Sequence, residues 1–227
     1  MKIIDAPSPN CNERKSAIDT IVLHYTGMRT GKEALDRLRD PDAKVSAHYL
    51  VEENGDVYRL VEEASRAWHA GVSFWAGDIE INDRSIGIEI VNPGHQFGYR
   101  DFPAVQIEAV VSLLKEIVAR HEIAPRRVIG HSDVAPRRKE DPGERFPWAR
   151  LAAAGLALAP FDGDPEAGEG IEFDDALNAL KAIGYDASLG DYAAALLAFQ
   201  RRFCPQSLGQ GFDPRTRAAL IAVAAAQ

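Results

Sequence analysis

The chain has 227 residues, 46% of them hydrophobic, enough for one full hydrophobic core and a small second one without disulfide staples. A formal net charge of −8 excludes a general nucleic-acid or anionic-membrane binder, because such proteins carry a basic surplus that displaces counterions. The two cysteines, Cys11 and Cys204, belong to no CxxC or Cys/His metal spacing, and no window approaches the roughly 18–20 apolar residues of a membrane span.

The opening residues, MKIIDAPSPNCNERKS, put prolines and charges where a secretory signal needs an apolar run of roughly 7–15 residues. A cytoplasmic protein is expected, with the periplasm as the alternative if the N-terminus has been trimmed. TIVLHYT (20–26) is β-branched and apolar, the pattern of a buried strand, and His24 stands at its C-terminal end. GKEALDRLRD (31–40) spaces Ala34, Leu35 and Leu38 as a short helix that Pro41 stops. AHYLVEE and DVYRLVE, joined across Asn54-Gly55, predict an antiparallel hairpin, since that pair tolerates positive φ.

SIGIEIVN (85–92) is a further strand in which Ile86, Ile88 and Ile90 alternate with Gly87, Glu89 and Val91, so Glu89 faces away from the isoleucines. From Pro103 to about His121, Ile107, Val110, Val111, Leu114, Ile117 and Val118 form the stripe of an amphipathic helix. RRVIG (126–130) predicts one more strand that delivers the chain to His131. The expected architecture is α/β, a mixed central sheet flanked by helices over residues 1–155.

Residues 156–170, LALAPFDGDPEAGEG, switch to Gly, Pro and acidic residues and read as a linker. Beyond it, residues 171–227 hold three helical patterns: FDDALNALKAIGY with Gly184 as its stop, DYAAALLAFQRRF, and DPRTRAALIAVAAA opened by Asp213 as N-cap and Pro214 at the first helical position. A small all-α three-helix domain follows from them.

Catalytic zinc is held by three side chains from His, Asp, Glu or Cys, with a fourth position left to water. His24, His131 and Asp141 could supply such a set, because neighbouring strands deliver their ends to one sheet edge and a ten-residue loop can fold back to present the carboxylate. The alternative is a pair of structural histidines at strand ends. Glu89, inside a strand as apolar as SIGIEIV, is costly to desolvate unless it has a partner or a task; otherwise it is an outward, solvated carboxylate. Lys139 belongs to the run Arg137-Arg138-Lys139, which is either a solvated loop or a source of positive charge for an oxyanion. Trp68 and His69 suit a sugar or peptide wall and equally suit a loop plug.

Taken together, VLHYTG (22–27), VSAHYLV (45–51), AWHAGVSFW (67–75), NDRSIGIEIVNPG (82–94) and GHSDVAPRRKEDPGERFPW (130–148) resemble the type 2 N-acetylmuramoyl-L-alanine amidases, in the superfamily that includes the peptidoglycan recognition proteins. The likeness runs collinearly over roughly residues 5–152. The tail is similar to the small peptidoglycan-binding domain that often follows such amidases, a generic helical packing module being the alternative.

The resemblance implies a Zn2+ cofactor on His24, His131 and Asp141, Glu89 as general base and Lys139 at the oxyanion. It implies hydrolysis of the amide between the muramic acid lactyl group and L-alanine, with muropeptides and anhydromuropeptides as partners, in peptidoglycan recycling. A periplasmic amidase acting on the cell wall and a non-catalytic muropeptide-recognition module are the alternatives. Arg138 is expected to meet a peptide carboxylate, and Trp68 and His69 to line the substrate; His48 and His121 are expected to be structural. The short segment from His24 to His48 and the C-terminal module are like envelope-type enzymes, whereas the opening residues are not, and the cytoplasmic reading follows the latter.

Overall fold

The computed structural model describes residues 2–188 and 192–227, in which the apolar runs of the sequence become a mixed sheet. The strands are β1 (Ile3–Asp5), β2 (Cys11–Glu13), β3 (Thr20–Tyr25), β4 (Tyr49–Val51), β5 (Val57–Arg59), β6 (Ser65–Ala67), β7 (Ser85–Ile90) and β8 (Val128–Gly130). Six of them form one sheet in the order β1-β5-β4-β7-β3-β8, and β2 pairs with β6 apart from it. The β4–β5 hairpin is antiparallel and turns through Gly55 at φ 88°, a left-handed conformation that glycine adopts without Cβ strain. Every other pairing in the large sheet is parallel. The hairpin strands are shorter than the sequence suggests: β4 begins at Tyr49, leaving His48 just outside it.

The helices are α1 (Gly31–Arg39), α2 (Ile81–Arg84), α3 (Gly94–Phe97), α4 (Ala104–His121), α5 (His131–Val134), α6 (Trp148–Ala153), α7 (Phe173–Ile183), α8 (Tyr192–Phe203) and α9 (Pro214–Ala225). Strand alternation sends Ile21, Leu23, Ile86, Ile88 and Ile90 to one face, where Ile107, Val110, Leu113, Leu114 and Ile117 of α4 cover them. Each such side chain taken fully out of water contributes about 1.5–3 kcal/mol. The other face is covered in two parts. Ala34 and Leu38 of α1 pack on Leu50, Leu60 and Val91. Val22 and Ile129 instead pack with Leu180 and Ile183 of α7 and Leu196, Phe199 and Phe203 of α8, in one continuous core.

Residues 156–170, expected as a linker, alternate exposed stretches with points of close packing. Leu156 and Ala157 are buried in the α4-side core, and the Phe161 N–H donates to the Phe203 carbonyl at 2.8 Å. A 3-10 turn at Pro165–Gly168 presses on the start of α9 so closely that a Cβ on Gly168 would stand 1.8 Å from the Pro214 oxygen. Gly184 ends α7 at φ 128°, and the Asp213 side chain caps α9 by accepting the Thr216 N–H. The helical pattern expected to open at Asp191 is described from Tyr192; Asp191 itself lies outside the described residues. Among the described residues no helix is long and apolar enough to cross a membrane.

Candidate metal centre and its cavity

The parallel register of β3 and β7 pairs His24 with Glu89, so the two side chains rise from the sheet on the same face. One strand over, Gly130 of β8 pairs with Leu23 and His131 follows at once as the first residue of α5. The loop after α5 folds back, its closure held by the Ser132 N–H donating to the Asp141 carbonyl at 2.8 Å. Three donor atoms converge as a result: His24 Nδ1 and His131 Nδ1 are 2.9 Å apart, and Asp141 Oδ2 lies 3.1 Å from the first and 2.9 Å from the second. All three residues are buried.

The hydrogen bonds behind the three converging atoms assign the tautomers. His131 Nε2 is 3.2 Å from the Ala70 carbonyl and must carry the proton, which leaves Nδ1 with a lone pair. Ser85 Oγ donates to the Ile81 carbonyl and is therefore free to accept from His69 Nε2 at 3.2 Å. His69 Nδ1 then accepts from His24 Nε2 at 3.1 Å, so His24 Nδ1 also presents a lone pair. Two lone pairs and a carboxylate oxygen facing one point repel one another unless a cation lies between them, and this arrangement could hold a metal ion. Burial, reinforced by His131, holds the His24 imidazole down at about 4, so it is the neutral ligand form at neutral pH. Burial pushes Asp141 up, but His131 and His24 outweigh it and keep the carboxyl ionised.

Glu89 borders the same open cavity, ≈ 360 Å³ in volume, together with Lys139, Trp68, Arg138 and Asp141. Its Oε2 is shut off from solvent and accepts no hydrogen bond among the described residues. Burial first, and the neighbouring Asp141 second, hold the Glu89 carboxyl well above the usual carboxylate range, against the opposing pull of Lys139. A carboxyl with one oxygen unpartnered, beside a cluster that could hold a metal ion, is able to exchange a proton, which a carboxylate locked in a structural ion pair is not.

The remaining expected residues fall in different settings. Trp68 lies on the cavity wall, its indole N–H donating to Asn12 Oδ1 at 2.7 Å. His69 also borders the cavity, yet both its ring nitrogens are engaged, as described, and its main-chain N–H is held by Asn82 Oδ1 at 3.0 Å. Arg138 donates through Nη2 to the Ala70 and Val72 carbonyls at 3.0 and 2.5 Å, tying the 70–72 segment to the loop of Lys139 and Asp141. His48 accepts the Gly87 N–H at Nδ1, 3.0 Å, and donates to the Ser65 carbonyl from Nε2, 3.1 Å. His121 pairs with Glu63 at 2.6 Å. Tyr25 and Arg37 also border the cavity and escape a sequence reading. Tyr25 directly follows His24, which is a signal of a kind; Arg37, one turn after the buried Ala34 on α1, carries none.

The N-acetylmuramoyl-L-alanine amidase family model matches residues 14–144. The N-acetylmuramoyl-L-alanine amidase AmiD of Escherichia coli is 36% identical over 227 residues, spanning 88% of this chain and 80% of that protein. The 1,6-anhydro-N-acetylmuramyl-L-alanine amidase AmpD of Enterobacter cloacae is 32% identical over 167 residues, spanning 66% of this chain and 87% of that protein. Among solved structures, the complex of AmiD from E. coli with the substrate anhydro-N-acetylmuramic acid-L-Ala-D-gamma-Glu-L-Lys superposes with a TM-score of 0.81 at 34% identity, covering 96% of this chain and 90% of that one. AmpDh3 from Pseudomonas aeruginosa in complex with an anhydromuramic pentapeptide gives 0.81 at 36% identity, covering 90% of each chain.

Proposed function

The chain belongs to the N-acetylmuramoyl-L-alanine amidase family, and from that premise we propose that it is a zinc-dependent hydrolase of the amide joining the muramic acid lactyl group to L-alanine in muropeptides and anhydromuropeptides, working in peptidoglycan recycling. The observation that carries this reading is the convergence of His24 Nδ1, His131 Nδ1 and Asp141 Oδ2 beside the unpartnered Oε2 of Glu89. The anhydromuropeptides held by the AmiD and AmpDh3 structures support the substrate class.

Two imidazole nitrogens and one carboxylate oxygen suit zinc with a fourth position open, and the ion supplies polarisation of the scissile carbonyl and a more acidic water. Glu89 Oε2 takes a proton from the attacking water as its oxygen bonds to the lactyl carbonyl carbon. Negative charge then builds on the carbonyl oxygen, and the Lys139 ammonium, on the cavity wall and without an ion-pair partner among the described residues, is available to meet it. As the C–N bond breaks, the Glu89 carboxyl returns its proton to the departing alanine nitrogen. The products are a lactyl acid on the sugar and a stem peptide with a free amine.

Trp68 and His69 form one wall for the substrate. Arg138 meets a carboxylate of the stem peptide with the nitrogens that the 70–72 carbonyls leave free. Residues 1–155 are read as the catalytic domain, 156–170 as the connection and 171–227 as a peptidoglycan-binding-like helical domain.

The test is mass spectrometry of the products formed from a defined anhydromuramyl-tripeptide by zinc-loaded protein, with a chelated control. Release of intact tripeptide and anhydromuramyl sugar, lost on chelation, is the expected result. Retention of the ligand without cleavage would replace the reading with a recognition module. The cytoplasmic expectation is tested separately, by assaying fractions of cells that express the intact gene.

A further inference from the structure

The last turn of helix α8 carries two consecutive arginines whose side chains leave it about 100° apart and reach the two ends of the loop that carries His131 and Asp141. Arg202 is buried, and its Nη1 donates to Asp133 Oδ2 at 2.7 Å, two residues after His131. Its Nη2 donates to the Val128 carbonyl of β8 at 2.9 Å, and the guanidinium stacks 4.2 Å from the Trp148 ring centroid. Asp133 also accepts from the Gly130 N–H at 2.7 Å and from the Tyr185 hydroxyl at 2.6 Å, the tyrosine also coming from the C-terminal helices' side of the chain. Arg201 turns the other way, donating to Glu140 Oε1 at 3.2 Å and lying 3.5 Å from Glu144 Oε2. Glu140 stands between Lys139 and Asp141.

A helix that only packed on the sheet would need apolar contacts, which α8 already makes through Leu196, Phe199 and Phe203. It would not need a buried ion pair, which contributes little net stability compared with apolar packing but fixes geometry when complete. Here the buried Arg202–Asp133 pair and the more exposed Arg201–Glu140 pair both engage side chains of the segment whose conformation sets the distance from His131 to Asp141. We propose that Arg202 and Arg201 are positioning residues for the metal centre: acting through Asp133 and Glu140, the C-terminal helical unit holds the His131–Asp141 loop in its ligating conformation. The proposal rests on the zinc reading above and adds to the C-terminal unit a role in building the site.

The experiment is a competition between a chromophoric zinc chelator and the full-length chain, run on the unmodified protein and on Arg202→Met, Arg201→Ala and Arg201→Lys, with the thermal midpoint of each metal-free protein recorded beside it. Arg202→Met is expected to weaken zinc binding about tenfold or more, in the range seen when groups that orient metal ligands are lost. Arg201→Ala should weaken it less, Arg201→Lys should restore it, and at saturating zinc kcat should fall in the same order with KM unchanged. Lower thermal midpoints with unchanged zinc affinity in both Arg202→Met and Arg201→Ala would reduce the pair to ordinary stabilising contacts and overturn the proposal. Should Arg202→Met fail to fold, the comparison of Arg201→Ala with Arg201→Lys decides alone. An unmodified chain that binds no zinc would overturn the reading of the site itself, a different result from intact binding that the variants do not disturb.

Discussion

His24 and Glu89 are register partners on the adjacent parallel strands β3 and β7, so one sheet face presents, side by side, an imidazole of the cluster that could hold a metal ion and a carboxyl whose Oε2 has no partner among the described residues. That relationship makes a specific demand. Glu89→Gln keeps the volume and removes the proton acceptor, and kcat on an anhydromuramyl-tripeptide is expected to fall on the order of 10²–10⁴-fold while zinc content stays at one ion per chain. A variant that keeps zinc and more than about a tenth of the activity would remove Glu89 from the role of base.

Gly87 lies two residues before Glu89 on the same face, and a Cβ there would stand 2.4 Å from the His69 ring. Gly87→Ala must displace that ring, and with it the acceptor of the His24 Nε2 proton. A loss of about 1–3 kcal/mol in unfolding free energy from overpacking is expected together with roughly 10–100-fold weaker zinc binding. Denaturant titration of the metal-free protein and chelator competition separate the two effects. Normal zinc affinity in a destabilised variant would show that His69 does not orient His24.

Removing the metal should cost stability as well as activity, because a ligand that binds only the folded state stabilises it by mass action. Zinc at about 100 times its Kd is expected to add about 2.7 kcal/mol over the chelated protein. Thermal melts across a zinc series check this, and a midpoint indifferent to zinc would argue that no ion occupies the His24, His131 and Asp141 cluster.

A pH effect is expected away from the site. Burial pushes the Glu63 carboxyl up, but hydrogen bonds from Arg120, His121 and Tyr49 together outweigh it and bring it to about 2, below its ordinary 4.5. A depressed carboxyl stabilises the fold above its unfolded pKa and loses that contribution as pH falls through the folded one. Glu63→Gln should therefore lower stability by about 1–2 kcal/mol at pH 7, the group being partly solvated. The gap between variant and unmodified protein should close between about pH 4.5 and 2. Equal gaps at both ends of that window would assign the loss to packing instead.

Much of the architecture was legible because its signals are local. The β-branched run around His24, the alternating isoleucines around Glu89 and the stripe of α4 each repeat a period that only one kind of element satisfies. Strands β1, β2 and β6 were not legible, since three residues are too few to display a period. Nor was the packing of residues 156–170, where glycine and acidic composition conceals a close approach of Gly168 to Pro214.

By itself the sequence determined which residues can do chemistry and on which strand ends and loop they stand, because residue type and strand period are carried in each short segment. Only the tertiary structure decided that His69 stands behind His24, that Glu89 Oε2 finds no partner among the described residues, and that Arg202 reaches Asp133. Those contacts join residues 45 and 69 positions apart. No local period records such separations; they arise when buried polar groups, brought together by apolar packing, must find hydrogen bonds or go without.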